Sequence, residues 1–168
     1  MSQIDKIDRE IVNLLMDDGR MPAAEIARRI GSISERVVRY RIERMVNDGL
    51  ISICAIPHPR AFGYQVVADI FIEVEPAYID EVAAALAQND CVSYVACAIG
   101  APDVSVQVIA RDNSEVYAFA TQVIGKLPGV RKTTTSIVPI VKKDVYQWRI
   151  PENEVVGSSD APPRGGGM

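Results

Sequence analysis

The sequence predicts an α+β chain in which helices come first and a mixed strand and helix domain comes second. Three observations predict it. Apolar residues recur at helical spacing in three short runs before residue 48. The pattern then switches to alternation over residues 66–75. From there to residue 141 the segments follow in the order β-α-β-β-α-β. This divides the chain into residues 1–60, residues 61–150 and a tail of residues 151–168.

The first run holds Ile4, Ile7, Ile11, Leu14 and Leu15, with Asp5, Asp8 and Glu10 in the opening turns, where the helix dipole favours acids. Asp17-Asp18-Gly19 ends it. Pro22 suits the first turn of a second helix that turns Ile26 and Ile30 inward, and Gly31 closes it. Ser34 offers an N-cap for a third helix, whose buried stripe is Val38, Ile42 and Met45. Asn47-Asp48-Gly49 is its stop. Leu50 to Ile56 is β-like and short, bounded by Pro57 and Pro59, and is expected to be a wing or linker strand. Three short helices and such a strand make a winged helix-turn-helix.

In the second part, Val66, Ala68, Ile70, Ile72 and Val74 alternate with Val67, Asp69, Phe71, Glu73 and Glu75, as in a strand with one buried face. Ile79, Val82, Ala83 and Leu86 form an amphipathic helix. Strands follow over Val92 to Ile99 and, after the turn Gly100-Ala101-Pro102-Asp103, around Val104, Val106 and Val108. Val116, Phe119, Ala120 and Val123 mark a second helix, stopped by Pro128-Gly129, and Val130 to Val141 is a fourth strand. The order is ferredoxin-like and holds a faint repeat, with Asn89-Asp90-Cys91-Val92 and Leu127-Pro128-Gly129-Val130 at matching turns. Helices cover one face of such a sheet, so Phe71, Val95, Ile99, Ile109 and Ile137 are expected on a second face that a partner copy would cover. The last stretch has Ser158-Ser159, Pro162-Pro163 and Gly165-Gly166-Gly167 and is expected to be disordered.

The net charge of −4 is unevenly placed. Residues 1–60 hold 10 Lys+Arg against 9 Asp+Glu, residues 61–150 hold 7 against 10, and residues 151–168 hold 1 against 3. The acidity sits behind the helical part, and for nucleic acid the charge on one face matters more than the total. Cys54, Cys91 and Cys97 lack metal-ligand spacing and are expected to be reduced, part-buried thiols. No apolar run is long enough to span a bilayer and no secretion signal is visible, so a cytoplasmic protein without a membrane partner is expected. No catalytic constellation, phosphate loop or cofactor motif appears, and the one histidine, His58, is flanked by prolines.

The third helix carries the chemistry. With Val38, Ile42 and Met45 buried, Glu35, Arg36, Arg39 and Tyr40 point outward near its N-terminal half, where such motifs meet base edges in the major groove, and Ser34 caps it. Arg41 and Arg44 are expected on phosphates, which set register without reading sequence. Four arginines against two glutamates give this segment a local +2. Double-stranded DNA is therefore the expected partner.

Several motifs together resemble the Lrp/AsnC family of regulators. Ile4-Asp5-Lys6-Ile7-Asp8-Arg9-Glu10-Ile11 is similar to its opening helix, followed by Asp17-Asp18-Gly19-Arg20 and Glu25-Ile26-Ala27. Arg41-Ile42-Glu43-Arg44-Met45 with Asp48-Gly49-Leu50-Ile51 resembles the end of its recognition helix and wing. Phe62-Gly63-Tyr64 resembles its entry into the sensing domain, and Gly100-Ala101-Pro102-Asp103 its Gly-x-x-Asp turn. The resemblance spans about residues 3–147. It implies a homodimer built by packing of sheets, higher homo-oligomers, and a small effector, commonly an amino acid, bound between sensing domains. On that resemblance Gly100 and Asp103 help to form the effector pocket, with Thr133 and Thr135 adding hydroxyl contacts. The alternatives are an enzyme resembling siroheme decarboxylases, which share this architecture, and a small-molecule-binding scaffold that has lost DNA.

Overall fold

The computed structural model describes residues 4–152, which fall into two compact units: residues 4–56 together with 143–152, and Pro57–Lys142.

The first unit is helical. Helix α1 (Lys6–Asp17) begins at a capping box: the Asp5 carboxylate accepts from the Asp8 N–H, and the Asp8 carboxylate accepts from the Asp5 N–H. Helix α2 (Ala23–Ile30) follows Pro22, which supplies no side-chain cap, and ends at Gly31 in the left-handed region at φ 75°. The Gly31 N–H closes the last turn on the Ala27 carbonyl. Helix α3 (Glu35–Asn47) is capped by the Ser34 hydroxyl, which accepts from the Val37 N–H. Ile11, Ile26, Val38 and Met45 are fully buried at the centre, with Ile42 packed against them from the rim.

Two expectations are corrected in this unit. Leu50 to Ile56 forms no ladder with any strand among the described residues. Leu50 and Ile51 turn back onto the helix, both N–H groups reaching the Met45 carbonyl, and Ile53 and Ile56 stay exposed. A strand needs a partner edge, and the described residues offer the segment none. The second correction concerns the far end of the chain. From its sequence the second domain is expected to run to residue 150. Instead residues 143–152 group with the helices. A short 3-10 turn, Val145–Gln147, is capped by Asp144, and beyond it Ile150 packs into the helical core. The Arg9 Nε donates to the Ile150 carbonyl at 2.9 Å, and Arg149 reaches Asp17 and Asn13. Of the expected tail of residues 151–168, Glu152 pairs with Arg9, and the part from residue 153 on lies outside the described residues.

The second unit is a four-stranded antiparallel sheet in the order β2-β3-β1-β4: β1 (Val66–Val74), β2 (Val92–Cys97), β3 (Val104–Ala110) and β4 (Val130–Ile137). The chain order places helix α4 (Ile79–Ala87) between β1 and β2. Helix α5 (Asn113–Ala118) lies between β3 and β4 and continues through a π turn and a 3-10 turn to Lys126. Ile70, Ile72, Val74, Val104, Val106 and Val108 face the helices and meet Val82, Leu86, Phe119 and Ile124 in one core. The two matching turns are alike: the Val92 N–H bonds the Asn89 carbonyl, and the Val130 N–H bonds the Leu127 carbonyl.

The other face carries Phe71 and Ile109, as expected, beside Asp69, Gln107 and Tyr94. Val95 and Ile137 are not on it. Val95 pairs with Val106 and Ile137 with Ala68, both residues of the helix-covered side. Each was misplaced by a bulge, between Val92 and Tyr94 on β2 and opposite Glu73/Val74 on β4, because one extra residue inverts the alternation of faces. Ile99 lies past the end of β2, fully exposed.

Candidate nucleic-acid interface and effector site

Helix α3 is seated by its apolar stripe. At roughly 100° per residue, Met45 lies within about 20° of Val38 around the axis, and Ile42 about 40° to the other side. Arg36, Tyr40, Glu43 and Asn47 fall near the opposite side, and Arg39 on the flank; all five are exposed. Glu35 is exposed too and pairs with Arg39 across one turn. Thus Ser34, Glu35, Arg36, Arg39 and Tyr40 lie together at the N-terminal end of the helix, on its solvent side.

Arg41 and Arg44 do not lie there. Arg41 falls only about 60° from Val38 on the helical wheel and turns inward. Its Nη1 donates to Asp8 Oδ1 at 2.8 Å and to Asp5 Oδ2 at 2.7 Å. Arg44 Nη2 donates to the second Asp8 oxygen. Asp8 is fully buried, so two cations surround one carboxylate that has no access to water. Burial pushes the Asp5 carboxyl up, but the Asp8 N–H and the Arg41 guanidinium outweigh it and hold Asp5 below the usual range. The local +2 read from the sequence is therefore cancelled by Asp5 and Asp8. The outward side of α3 carries Arg36 and Arg39 against Glu35 and Glu43, with no net charge.

In the sheet unit, the expected effector residues are only partly gathered. Gly100 stands in an exposed loop at φ 105°, with nothing within 4 Å of where a Cβ would be. Asp103 is tied to the end of β1: its Oδ2 accepts from the Val74 N–H at 2.8 Å and its own N–H donates to the Ile72 carbonyl. Arg131, which sequence reasoning missed, lies 3.6 Å from the same oxygen and donates to the Val74 carbonyl. Thr133 pairs with Ile72, next to this cluster, whereas Thr135 pairs with Ile70, two residues further along the strand. None of the four lines the cavity of about 660 Å³ in this unit, which is walled by Pro57, Phe62, Tyr64, Cys91, Arg111 and Phe119 among others.

The chain matches two family models. One is the winged helix-turn-helix DNA-binding model, over residues 4–52, and the other is the Lrp/AsnC ligand binding domain, over residues 67–145. An HTH-type transcriptional regulator of Pyrococcus abyssi is 41% identical over 145 residues, covering 86% of this chain and 91% of that protein. The regulator FL11 of the same organism is 35% identical over 148 residues, covering 88% and 97%. Among solved structures, E. coli AsnC matches with TM-score 0.76 at 27% identity, covering 85% of this chain and 99% of AsnC. A Neisseria meningitidis regulator solved with L-Met shares the fold, with TM-score 0.78 at 20% identity over 84% of this chain and 94% of its own. The two Pyrococcus relatives and the Neisseria protein are named as transcriptional regulators. With a helical unit that matches the helix-turn-helix model, an antiparallel unit that matches the ligand binding model and relatives aligned along both, the chain belongs to the Lrp/AsnC family of transcriptional regulators.

Proposed function

We propose that this regulator reads a specific DNA site with the outward side of α3, as a homodimer or larger homo-oligomer, and that an amino-acid effector bound in the sheet unit shifts its DNA binding or assembly. The observation that carries the DNA half is the surface of α3. Arg36, Arg39 and Tyr40 stand exposed on a helix fixed underneath by Val38 and Met45 and capped by Ser34. Arginine donates in a fork that suits guanine, and a rigid helix holds that fork in place.

The effector half rests on the family and on one piece of chemistry. Asp103 and Arg131 set opposite charges side by side at one end of β1, with Thr133 beside them. A zwitterion needs an acceptor for its ammonium and a donor for its carboxylate, and this pair supplies both. Arg131 is half exposed, so its fork is open to a ligand.

The test is a selection of genomic DNA fragments on the purified protein, sequenced, and repeated with a panel of amino acids. The expected result is enrichment of a few palindromic sites whose recovery one amino acid changes. No enrichment above random fragments at moderate salt would overturn the DNA half. Enrichment unmoved by every amino acid would overturn the effector half.

A further inference from the structure

We propose that Asp8 is a positioning residue for DNA recognition: it holds Arg41 and Arg44 against α1 and so withholds two cations of the recognition helix from the phosphate backbone. The inference rests on the reading that α3 enters DNA, and it adds how the helix divides its charges between specific and non-specific contacts.

The observations are geometric. Asp8 is fully buried, and each of its oxygens takes a different arginine of α3, one turn apart. Arg41 is also held by Asp5, and its side chain keeps only about a fifth of its exposure. On Arg44 the Nε is buried and has no partner, so that guanidinium is drawn in far enough to lose water on its inner side. Arg39 is paired with Glu35 on the surface, a pair that solvent screens. Arg36 is the one arginine of α3 with no ion-pair partner among the described residues.

Phosphate contacts bind all sequences alike, whereas base contacts discriminate. A recognition helix that offered all four arginines would hold random DNA tightly. With two of them locked inward, less of the binding comes from charge and more from the base edges facing Arg36, Arg39 and Tyr40. Asp8 also caps α1, so the same carboxylate that shapes the helix start fixes how α3 is rolled.

The experiment measures the salt dependence of binding, which counts phosphate contacts: each contact contributes about 0.9 to the slope of log K against log salt. The full-length protein is titrated with its selected duplex and with a scrambled duplex across a salt series. Arg41→Gln and Arg44→Gln are expected to leave the slope as in wild type, while Arg36→Gln lowers it or the discrimination between the duplexes. Asp8→Asn, kept at a temperature where circular dichroism shows it folded, is expected to bind the scrambled duplex several-fold more tightly, with a steeper slope and a smaller ratio between duplexes. Asp8→Glu should restore much of that ratio. A role in stability alone would lower affinity for both duplexes and leave the slope unchanged. A slope reduced by about 0.9 or more in Arg41→Gln and Arg44→Gln would overturn the proposal, and these two variants decide it even if Asp8→Asn fails to fold. Wild-type protein that binds neither duplex would instead overturn the DNA reading beneath it.

Discussion

Ending the chain at Gln147 removes the part of the C-terminal segment that clasps α1, and the cost follows from four contacts. Ile150 is partly buried against the helical core. Full burial of such a side chain would make its loss cost 2–5 kcal/mol, so about half of that, roughly 1–2 kcal/mol, applies here. The bond from Arg9 Nε to the Ile150 carbonyl is part-buried and charged on one side, adding about 1 kcal/mol. The Arg149–Asp17 pair is half exposed and the Arg9–Glu152 pair has an exposed carboxylate, so both add little. Together these give about 2–4 kcal/mol, against roughly 3–9 kcal/mol for a unit of this size. The midpoint of its thermal unfolding should fall by roughly 10–25 °C. Scanning calorimetry on the full chain and on the chain ending at Gln147 measures this, with the transition of the sheet unit as an internal control. A shift of less than about 2 °C would refute the claim that the segment belongs to the helical unit.

Gly129→Ala should destabilise the sheet unit by about 2–4 kcal/mol, read as a lower urea midpoint. Its φ of 77° disfavours any Cβ, and that Cβ would sit 2.5 Å from the Tyr78 ring. Acidification should weaken the helical unit. Asp5 is held low as described, and Arg29 and Arg28 hold Glu25 below its ordinary 4.5 by hydrogen bonds. A lowered carboxylate contributes stability above its unfolded value and loses it as the pH falls through the folded one, so urea midpoints should drop below about pH 4.5. Glu25→Gln should flatten part of that fall. Of the three thiols expected to be part-buried only Cys91 is, so iodoacetamide should alkylate exposed Cys54 and Cys97 well before Cys91, whose thiol burial pushes up.

Much of this fold was legible because local pattern and tertiary need agree. Asp5, Ser34 and Gly31 mark helix ends by chemistry that acts within one turn, and the alternation of β1 has no bulge until Glu73. Val95 and Ile137 were misplaced because a bulge inverts parity without leaving any mark in composition. Arg41 was misread because charge was counted instead of angle; its place beside Val38 on the helical wheel was available from spacing alone. The partner it turns toward, Asp8, lies 33 residues away, and nothing local announces such a contact. The same holds for Ile150, one apolar residue in a polar stretch whose site is built by α1. Arg131 sits before the Thr133–Thr135 run, where its link to Asp103 depends on which strands are neighbours.

If α3 reads sequence with its outward side, losing Arg39 or Tyr40 should matter only on the cognate site. Fluorescence anisotropy of wild type, Arg39→Ala and Tyr40→Ala on the selected palindromic duplex and on its scrambled counterpart tests this most directly. Each variant should lose about 1–3 kcal/mol on the selected duplex and almost nothing on the scrambled one. Equal losses on both would contradict the account, because the side chains would then be holding DNA without reading it.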